Sequence, residues 1–373
     1  MRVIHVLHSM TFGGAEVLVH DFLKATRDRL SQTVVCLDGI GPLGESLRTD
    51  GVRVEVLGRT SGLQPKVALD LHRLITDVRP DVVCAHQYTP YSYAAMALAP
   101  MRHKPGLVFV EHGRHYPDVR RPKRVLANNL VFLPYTRRVV AVCGYIKRLL
   151  VENEGIPASR IDVVYNGVDP SRFDPAQRAA LDPAGVRAAL GISPAALVVT
   201  CVARFHPVKD HPTLVRAFAV AARELPDARL LLVGGGDDAP LRALAAELGV
   251  GDRVVFAGVR RDIPAVYAAS DLFAMASLSE GTSVTLLEAM LSERAALVTD
   301  VGGNPEIVAR GITGELVARG DHAAMGAAMV GLLGDAARRT LLGAAGRRRV
   351  LERFTQQRMH EGWVGALQDA AAR

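Results

Sequence analysis

Residues Ala196 to Leu214 read ALVVTCVARFHPVKDHPTL, and this stretch decides the architecture. An apolar, β-branched run, ALVVTCVA, leads into Arg204; Lys209 lies five residues further on, and Pro212 suits the first turn of a helix. A buried strand feeding a helix through a short polar turn is one βα unit. Its repetition along a chain predicts an α/β fold with parallel, doubly wound sheets. The repeats are there. VIHVLHS, SQTVVCLD, VRVEVLG, DVVCAH, LVFVEHG, VVAVCG and IDVVYNG precede the unit, and ARLLLVGGG, RVVFAG, DLFAMAS and AALVTD follow it. Helical spacing fills the intervals, as with Val17, Leu18, Phe22 and Leu23 within a helix expected over Ala15 to Leu30.

A chain of 373 residues exceeds one ordinary core and predicts two domains. The joint is expected between Gly167 and Pro194, where DPSRFDPAQ and LDPAGVRAALGISPA concentrate Asp, Pro and Gly. The C-terminal stretch RRRVLERFTQQRMHEGWVGALQ reads as helix, with Trp363, the only tryptophan, as a packing anchor.

Composition excludes several classes. The four cysteines, Cys36, Cys84, Cys143 and Cys201, each sit in an apolar run and form no Cys-x-x-Cys pair, so they read as buried hydrophobes in a reducing compartment. The N-terminus turns polar too early for a secretion signal, and no apolar stretch is long enough to span a bilayer. The expected location is therefore cytoplasmic, with peripheral contact at the inner face of the cell membrane left open. A formal charge of +7 favours anionic partners. Nucleic acid is disfavoured, because the cations are not interleaved with aromatic platforms. There is no H-E-x-x-H, no Asp-x-Asp and no G-x-S-x-G elbow, so neither a metal site nor a serine triad is expected.

Chemistry collects at the ends of the expected strands. In SEGTSVTLLE, Ser279 to Glu288, a Gly-Thr-Ser turn feeds an apolar helix, and the free N–H groups of the helix start face whatever the loop approaches. Glu280 and Glu288 flank that mouth, positioned to reach different hydroxyls of one extended ligand; the alternative is two solvated carboxylates. Arg204 and Lys209 can grip two phosphates from one strand end, or be plain surface cations. Gly13 and Gly14 leave room for a diphosphate at the first βα turn, or serve turn geometry alone. The triplet Gly234 to Gly236 faces a ligand or only eases a connection. His112, beside Glu111 and His115 in EHGRHYP, can donate to a sugar hydroxyl or a developing charge, or can bond a loop carbonyl.

Taken in order, Gly13-Gly14, His112, NGVD at Asn166 to Asp169, Arg204-x4-Lys209, Glu280-x7-Glu288 and GGNPE at Gly302 to Glu306 resemble the family-4 retaining glycosyltransferases of the GT-B fold, over nearly the whole chain. The resemblance implies two Rossmann-like domains facing across a cleft: 1–175 on the acceptor side, 190–351 for the nucleotide-sugar donor, and a closing helix at about 352–373 packed back on the first. It implies a nucleoside-diphosphate sugar as donor, a glycan or lipid-linked glycan as acceptor, a hexose transferred with retention in envelope or exopolysaccharide synthesis, and neither cofactor nor metal. Arg204, Lys209 and backbone at Gly13 and Gly14 would hold the diphosphate, and Glu288 the ribose. Glu280 would hold the transferred sugar, main chain at Gly281, Thr282, Ser283, Val284, Thr285 and Leu286 would complete those contacts, and His112 would touch the sugar. The base would lie near Gly258 to Asp262. Rival readings on the same architecture are a nucleotide-sugar epimerase and a non-catalytic sugar-nucleotide-binding protein.

One further segment stands out. From Arg114 to Arg148 the chain carries Arg120, Arg121, Lys123, Arg124, Arg137, Arg138, Lys147 and Arg148 against one acid, Asp118, around the apolar LVFLPY, Leu130 to Tyr135. Cations flanking apolar groups suit an anionic membrane surface; the alternative is a core segment under a solvated helix.

Overall fold

The computed structural model describes residues 1–113, 118–174 and 180–372; Arg114 and His115 lie outside them. The chain divides into two units. Met1–Asn166 with Arg358–Arg373 form the first, and Gly167–Gln357 the second.

The first unit is built on strands β1 (Arg2–Ser9), β2 (Ser31–Gly39), β3 (Arg53–Val56), β4 (Val82–His86), β5 (Gly106–Glu111), β6 (Thr136–Ala141) and β7 (Ile161–Val163), in the spatial order 3-2-1-4-5-6-7. The second carries β8 (Val198–Val202), β9 (Arg229–Val233), β10 (Val254–Phe256), β11 (Leu272–Met275), β12 (Ala295–Thr299) and β13 (Gly314–Val317), in the order 10-9-8-11-12-13. The pairings are parallel, so each strand needs a crossover, and helices occupy the intervals. Helices on both faces explain why the strands read as continuous apolar runs rather than alternating ones: every residue of VVCAH and of GLVFVE is buried. The α/β, doubly wound class is thus the observed one.

Local departures have local causes. The first helix spans Gly14–Ala25, shorter than the expected Ala15 to Leu30: at Thr26, φ −110° and ψ 7°, the backbone leaves helical geometry before turning into β2. The C-terminal stretch is two helices, Ala336–Arg353 and Gln356–Ala371. They break where Thr355 forms a bridge with Val168, Val168 N donating to Phe354 O at 3.0 Å. The last helix returns to the first unit. There Trp363 is buried edge-on against Phe22, with ring centroids 5.2 Å apart, and near His86 at 5.7 Å. That is the packing role expected of the lone tryptophan. All four cysteines are buried and none is in a disulfide. No helix of the described residues is long and apolar enough to cross a membrane.

Candidate active site

In the second unit the site residues come from the carboxyl ends of β8, β11 and β12. Arg204 leaves β8 exposed to solvent and makes no ion pair among the described residues. The chain then makes one 3-10 turn, Pro207–Lys209, and passes through Asp210, a non-glycine residue at φ +46°. Asp210 accommodates this by capping the next helix, His211–Glu224, its Oδ1 accepting from Thr213 N at 3.4 Å. The bend aims Lys209 at the loop after β11, and Leu278 N donates to Val208 O at 2.8 Å to fasten the two loops together.

Lys209 Nζ lies 2.6 Å from Glu280 Oε1, and Ser277 Oγ donates to the same oxygen at 2.6 Å. Glu280 is buried, so this ion pair neutralises a carboxylate that water cannot reach well. From the sequence, Arg204 is expected to grip phosphate as a planar fork and Lys209 as a mobile point charge. The structure separates them, one free in solvent and the other paired with Glu280. The backbone of Glu280 is fixed by GGNPE: Gly303 N donates to Glu280 O at 3.1 Å, and Gly302 stands at φ +58° with its α-carbon against that oxygen, where a β-carbon would collide.

Gly281 to Ser283 lead into the helix Val284–Leu291, with Ser283 as N-cap and its Oγ accepting from Leu286 N at 3.5 Å. Thr282, Ser283 and Leu286 are buried, and Val284 and Thr285 half-buried. The free N–H groups of this first turn make an anion-favouring end. One turn along, Glu288 is 9% exposed, and its carboxylate receives no hydrogen bond from the described residues. Burial pushes its carboxyl up to about 7, with the Arg172 charge opposing. A buried carboxylate without a donor is costly and is what a ligand hydroxyl would relieve.

The glycine triplet has a structural explanation. Gly234 is at φ +158° with no room for a β-carbon beside Ala203 O, and Phe205 N donates to Gly235 O at 2.8 Å. It underlies the turn that carries Arg204. Gly258, at φ +64°, accepts from Gly234 N at 2.9 Å through its carbonyl, which places the Gly258 to Asp262 loop next to that turn.

In the first unit, Gly13 caps the helix that begins at Gly14, and a β-carbon on Gly14 would meet nothing within 4 Å. The turn is open at Gly14, whereas a β-carbon on Gly13 would run into the Glu16 carboxylate. His112 follows β5 directly and ends a row of three imidazoles. His5 Nδ1 is 3.2 Å from His86 Nε2, and His86 Nδ1 is 3.0 Å from His112 Nε2. Burial lowers His5 and His112 to about 4 and His86 well below its usual range, so the row is uncharged at neutral pH. His112 is therefore a neutral hydrogen-bonding group. His5, Cys84 and His86 also bring three ligand-type atoms within 4.8 Å of one another. Cys84 is held protonated by burial, well above its ordinary range, and the surroundings are Phe22, Val108, Val110 and Trp363, an apolar pocket in which a dication would be poorly solvated.

The basic segment divides in two. Leu130 and Val131 are exposed, whereas Phe132 and Leu133 are buried, so LVFLPY is neither all core nor all surface. Arg124 lies 3.4 Å over the Tyr88 ring and 2.8 Å from the buried Glu154, and Arg138 pairs with Asp369 at 2.9 Å. Those two cations are committed within the protein. Arg120, Arg121 and Lys123 are exposed, beside Val119 and Leu126.

Comparison with known proteins agrees with this layout. Residues 12–172 match the model of Glycosyltransferase Family 4, and residues 196–335 that of Glycosyl transferases group 1. A D-inositol 3-phosphate glycosyltransferase of Mycobacterium sp. (strain KMS) is 43% identical over 176 residues, covering 45% of this chain and 38% of that protein. Its counterpart in Nocardia farcinica is 39% identical over 211 residues, 54% of this chain and 46% of the relative. The match thus spans less than half the length of these relatives. Among solved structures, a glycosyltransferase from Rickettsia africae superposes with a TM-score of 0.86 at 19% identity, covering 100% of this chain and 99% of that one. Anabaena HepE in complex with UDP-glucose gives 0.83 at 24% identity, with 99% of each chain covered. At these identities the superpositions speak for the fold.

Proposed function

This chain belongs to the glycosyltransferases of family 4 and group 1, with the GT-B fold, and on that premise we propose that it moves a hexose from a nucleoside-diphosphate sugar to a glycan or glycolipid acceptor with retention of configuration. The observation that carries this reading is Glu288, a buried carboxylate with no protein donor, one turn into a helix whose start also holds the Lys209–Glu280 pair.

The chemistry follows from charge. Departure of the nucleoside diphosphate leaves positive character at the anomeric carbon and negative charge on the leaving oxygen. Arg204, unpaired and exposed, is free to meet that charge as a planar fork, and the N–H groups at the start of Val284–Leu291 add to it. Lys209 holds Glu280 where it can accept from hydroxyls of the transferred sugar, and Glu288 accepts from the ribose. Gly13, Gly14 and a neutral His112 are the contribution of the first unit, His112 toward the sugar. Protein cations and helix N–H groups neutralise the leaving group in this scheme without a metal or cofactor. The relatives' names support glycosyl transfer and leave the acceptor of this chain to experiment.

A cytoplasmic enzyme of envelope or exopolysaccharide assembly, touching anionic membrane through Arg120, Arg121 and Lys123 beside exposed Leu126 and Leu130, fits the exposed half of the basic segment. The test of function is release of nucleoside diphosphate from a panel of nucleotide sugars, with and without glycan acceptors. Acceptor-dependent release, lost in Glu280→Gln, is the expected result. A rearranged donor formed without acceptor would make the protein an epimerase, and tight donor binding with no turnover would make it a binding protein.

A further inference from the structure

The parallel sheet of the first unit has a second functional-looking edge. Ser9, His86 and His112 lie at the carboxyl ends of its strands. At the opposite edge, where β1, β5 and β6 begin, a cavity of about 620 Å³ opens, within the size range of pockets for small molecules. Arg2, Arg79, Arg102, Lys104 and Arg137 line it, against one acid, Asp81. Asp81 is already engaged, its Oδ2 accepting from Arg2 N at 2.7 Å. Arg2 in turn donates from Nη1 to Val78 O at 3.3 Å, and Lys104 Nζ donates to Met101 O.

The remaining three guanidinium groups differ from their neighbours. Around the same unit Arg53 pairs with Glu55 and Asp77, Arg73 with Asp70, and Arg138 with Asp369. Among the described residues Arg79, Arg102 and Arg137 have no such partner, yet all three converge on one concavity. Arg79 moreover occupies a position where the backbone disfavours it. It ends the helix Pro65–Val78 at φ +50° and ψ 60°, the left-handed cap that glycine ordinarily fills. A charged side chain is held there at a conformational cost, pointing to a use for the charge.

We propose that this cavity binds a phosphorylated small molecule carrying at least two negative charges, at a site separate from the glycosyl-transfer residues. Arg79, Arg102 and Arg137 supply planar forks for phosphate oxygens. Ile75 and Ala370 supply an apolar wall for the rest of the molecule.

The probe is inorganic pyrophosphate, titrated calorimetrically into the intact chain. Because pyrophosphate also suits the proposed diphosphate site, two variants separate the events: Arg79→Gln/Arg102→Gln/Arg137→Gln together, and Arg204→Gln alone. The expected result is two binding events in wild type, of which the triple variant loses one by roughly tenfold or more in affinity and Arg204→Gln retains it. Arg79→Gly guards against a folding artefact, since glycine relieves the cap: it should melt no lower than wild type and still bind more weakly at this site. Phosphatidylcholine vesicles with and without phosphatidylglycerol identify the source. Retention on anionic vesicles that the triple variant weakens assigns the site to a lipid headgroup, and retention equal in wild type and triple variant assigns it to a soluble phosphate ester. Superimposable pyrophosphate isotherms for wild type and the triple variant would overturn the proposal.

Discussion

Replacing Glu288 by Gln should make the free protein more stable, by an amount that depends on pH. The carboxyl rises from 4.5 in the open chain to about 7 in the fold. At about 1.4 kcal/mol per tenfold change in proton affinity, that rise corresponds to ~3 kcal/mol. The sign follows from proton counting. Between the two values the folded state keeps a proton that the unfolded state gives up, so stability falls as pH rises, beginning near 4.5 and levelling off above about 7. Gln cannot ionise, and the variant lacks this loss. Equilibrium urea unfolding of both proteins at pH 5, 6, 7 and 8 measures it: the advantage of the variant should grow by roughly 2 to 3 kcal/mol across the series, on top of any constant offset from the amide. A difference that stays flat with pH would refute the reasoning, because it would mean Glu288 titrates in the fold as it does in water. The same physics links to function. If ribose hydroxyls donate to Glu288, donor binding near pH 7 should release protons, detectable as a dependence of the calorimetric heat on buffer ionisation enthalpy and absent in Glu288→Gln.

Three further outcomes are expected. Arg204→Ala should weaken nucleoside-diphosphate binding while leaving urea stability within about 0.5 kcal/mol, whereas Lys209→Ala, which strands a buried carboxylate, should cost about 2 to 3 kcal/mol, much of it recovered by adding Glu280→Gln in a double-mutant cycle. Gly302→Ala combines an unfavourable φ with a collision at Glu280 O, so it should destabilise by about 2 kcal/mol or more and lower turnover, read by unfolding and by diphosphate release. Joint replacement of Arg120, Arg121 and Lys123 by Gln should reduce salt-sensitive co-sedimentation with anionic vesicles without changing the melting temperature, while Arg124→Gln, which breaks the stack on Tyr88 and the pair with Glu154, should lower it.

What could be read from the sequence was what local pattern carries. Each run named at the outset forms a strand; the inner strands β4 and β5, covered on both faces, are buried throughout, whereas the outer β3, β7 and β10 are only partly so. β13 was missed: GELV is short, half polar and set among Gly and Arg residues, and it becomes a strand only by pairing with β12. The C-terminal break was equally invisible, since the partner of Thr355 is Val168, far away in sequence. Within the site, residue types at strand ends pointed to Arg204, Lys209, Glu280, Glu288 and His112. Which of them pair could not be read, because the Lys209–Glu280 contact joins loops 71 residues apart. The backbone support from Gly302 and Gly303 went unrecognised for the same reason, although a glycine pair before Asn-Pro-Glu was a visible hint; Ser277, three residues from Glu280, is local and lacked only a sign of which way its hydroxyl turns. The histidine row required the adjacency of β1, β4 and β5, a topological fact.

The second unit is an insertion within the first, its two ends zipped side by side where Val168 meets Thr355 and Gln356 N returns a bond to Val168 O at 2.9 Å. During synthesis the ribosome therefore delivers the whole of residues 167–357 before it delivers Trp363. The first sheet must wait with the Phe22 and His86 surface uncovered, while the inserted unit has every residue it needs to fold as it emerges. Synthesis order thus completes the residue set of the inserted unit before that of the unit that encloses it. The paired ends also mark where the inserted segment could be excised, with a linker of only a few residues.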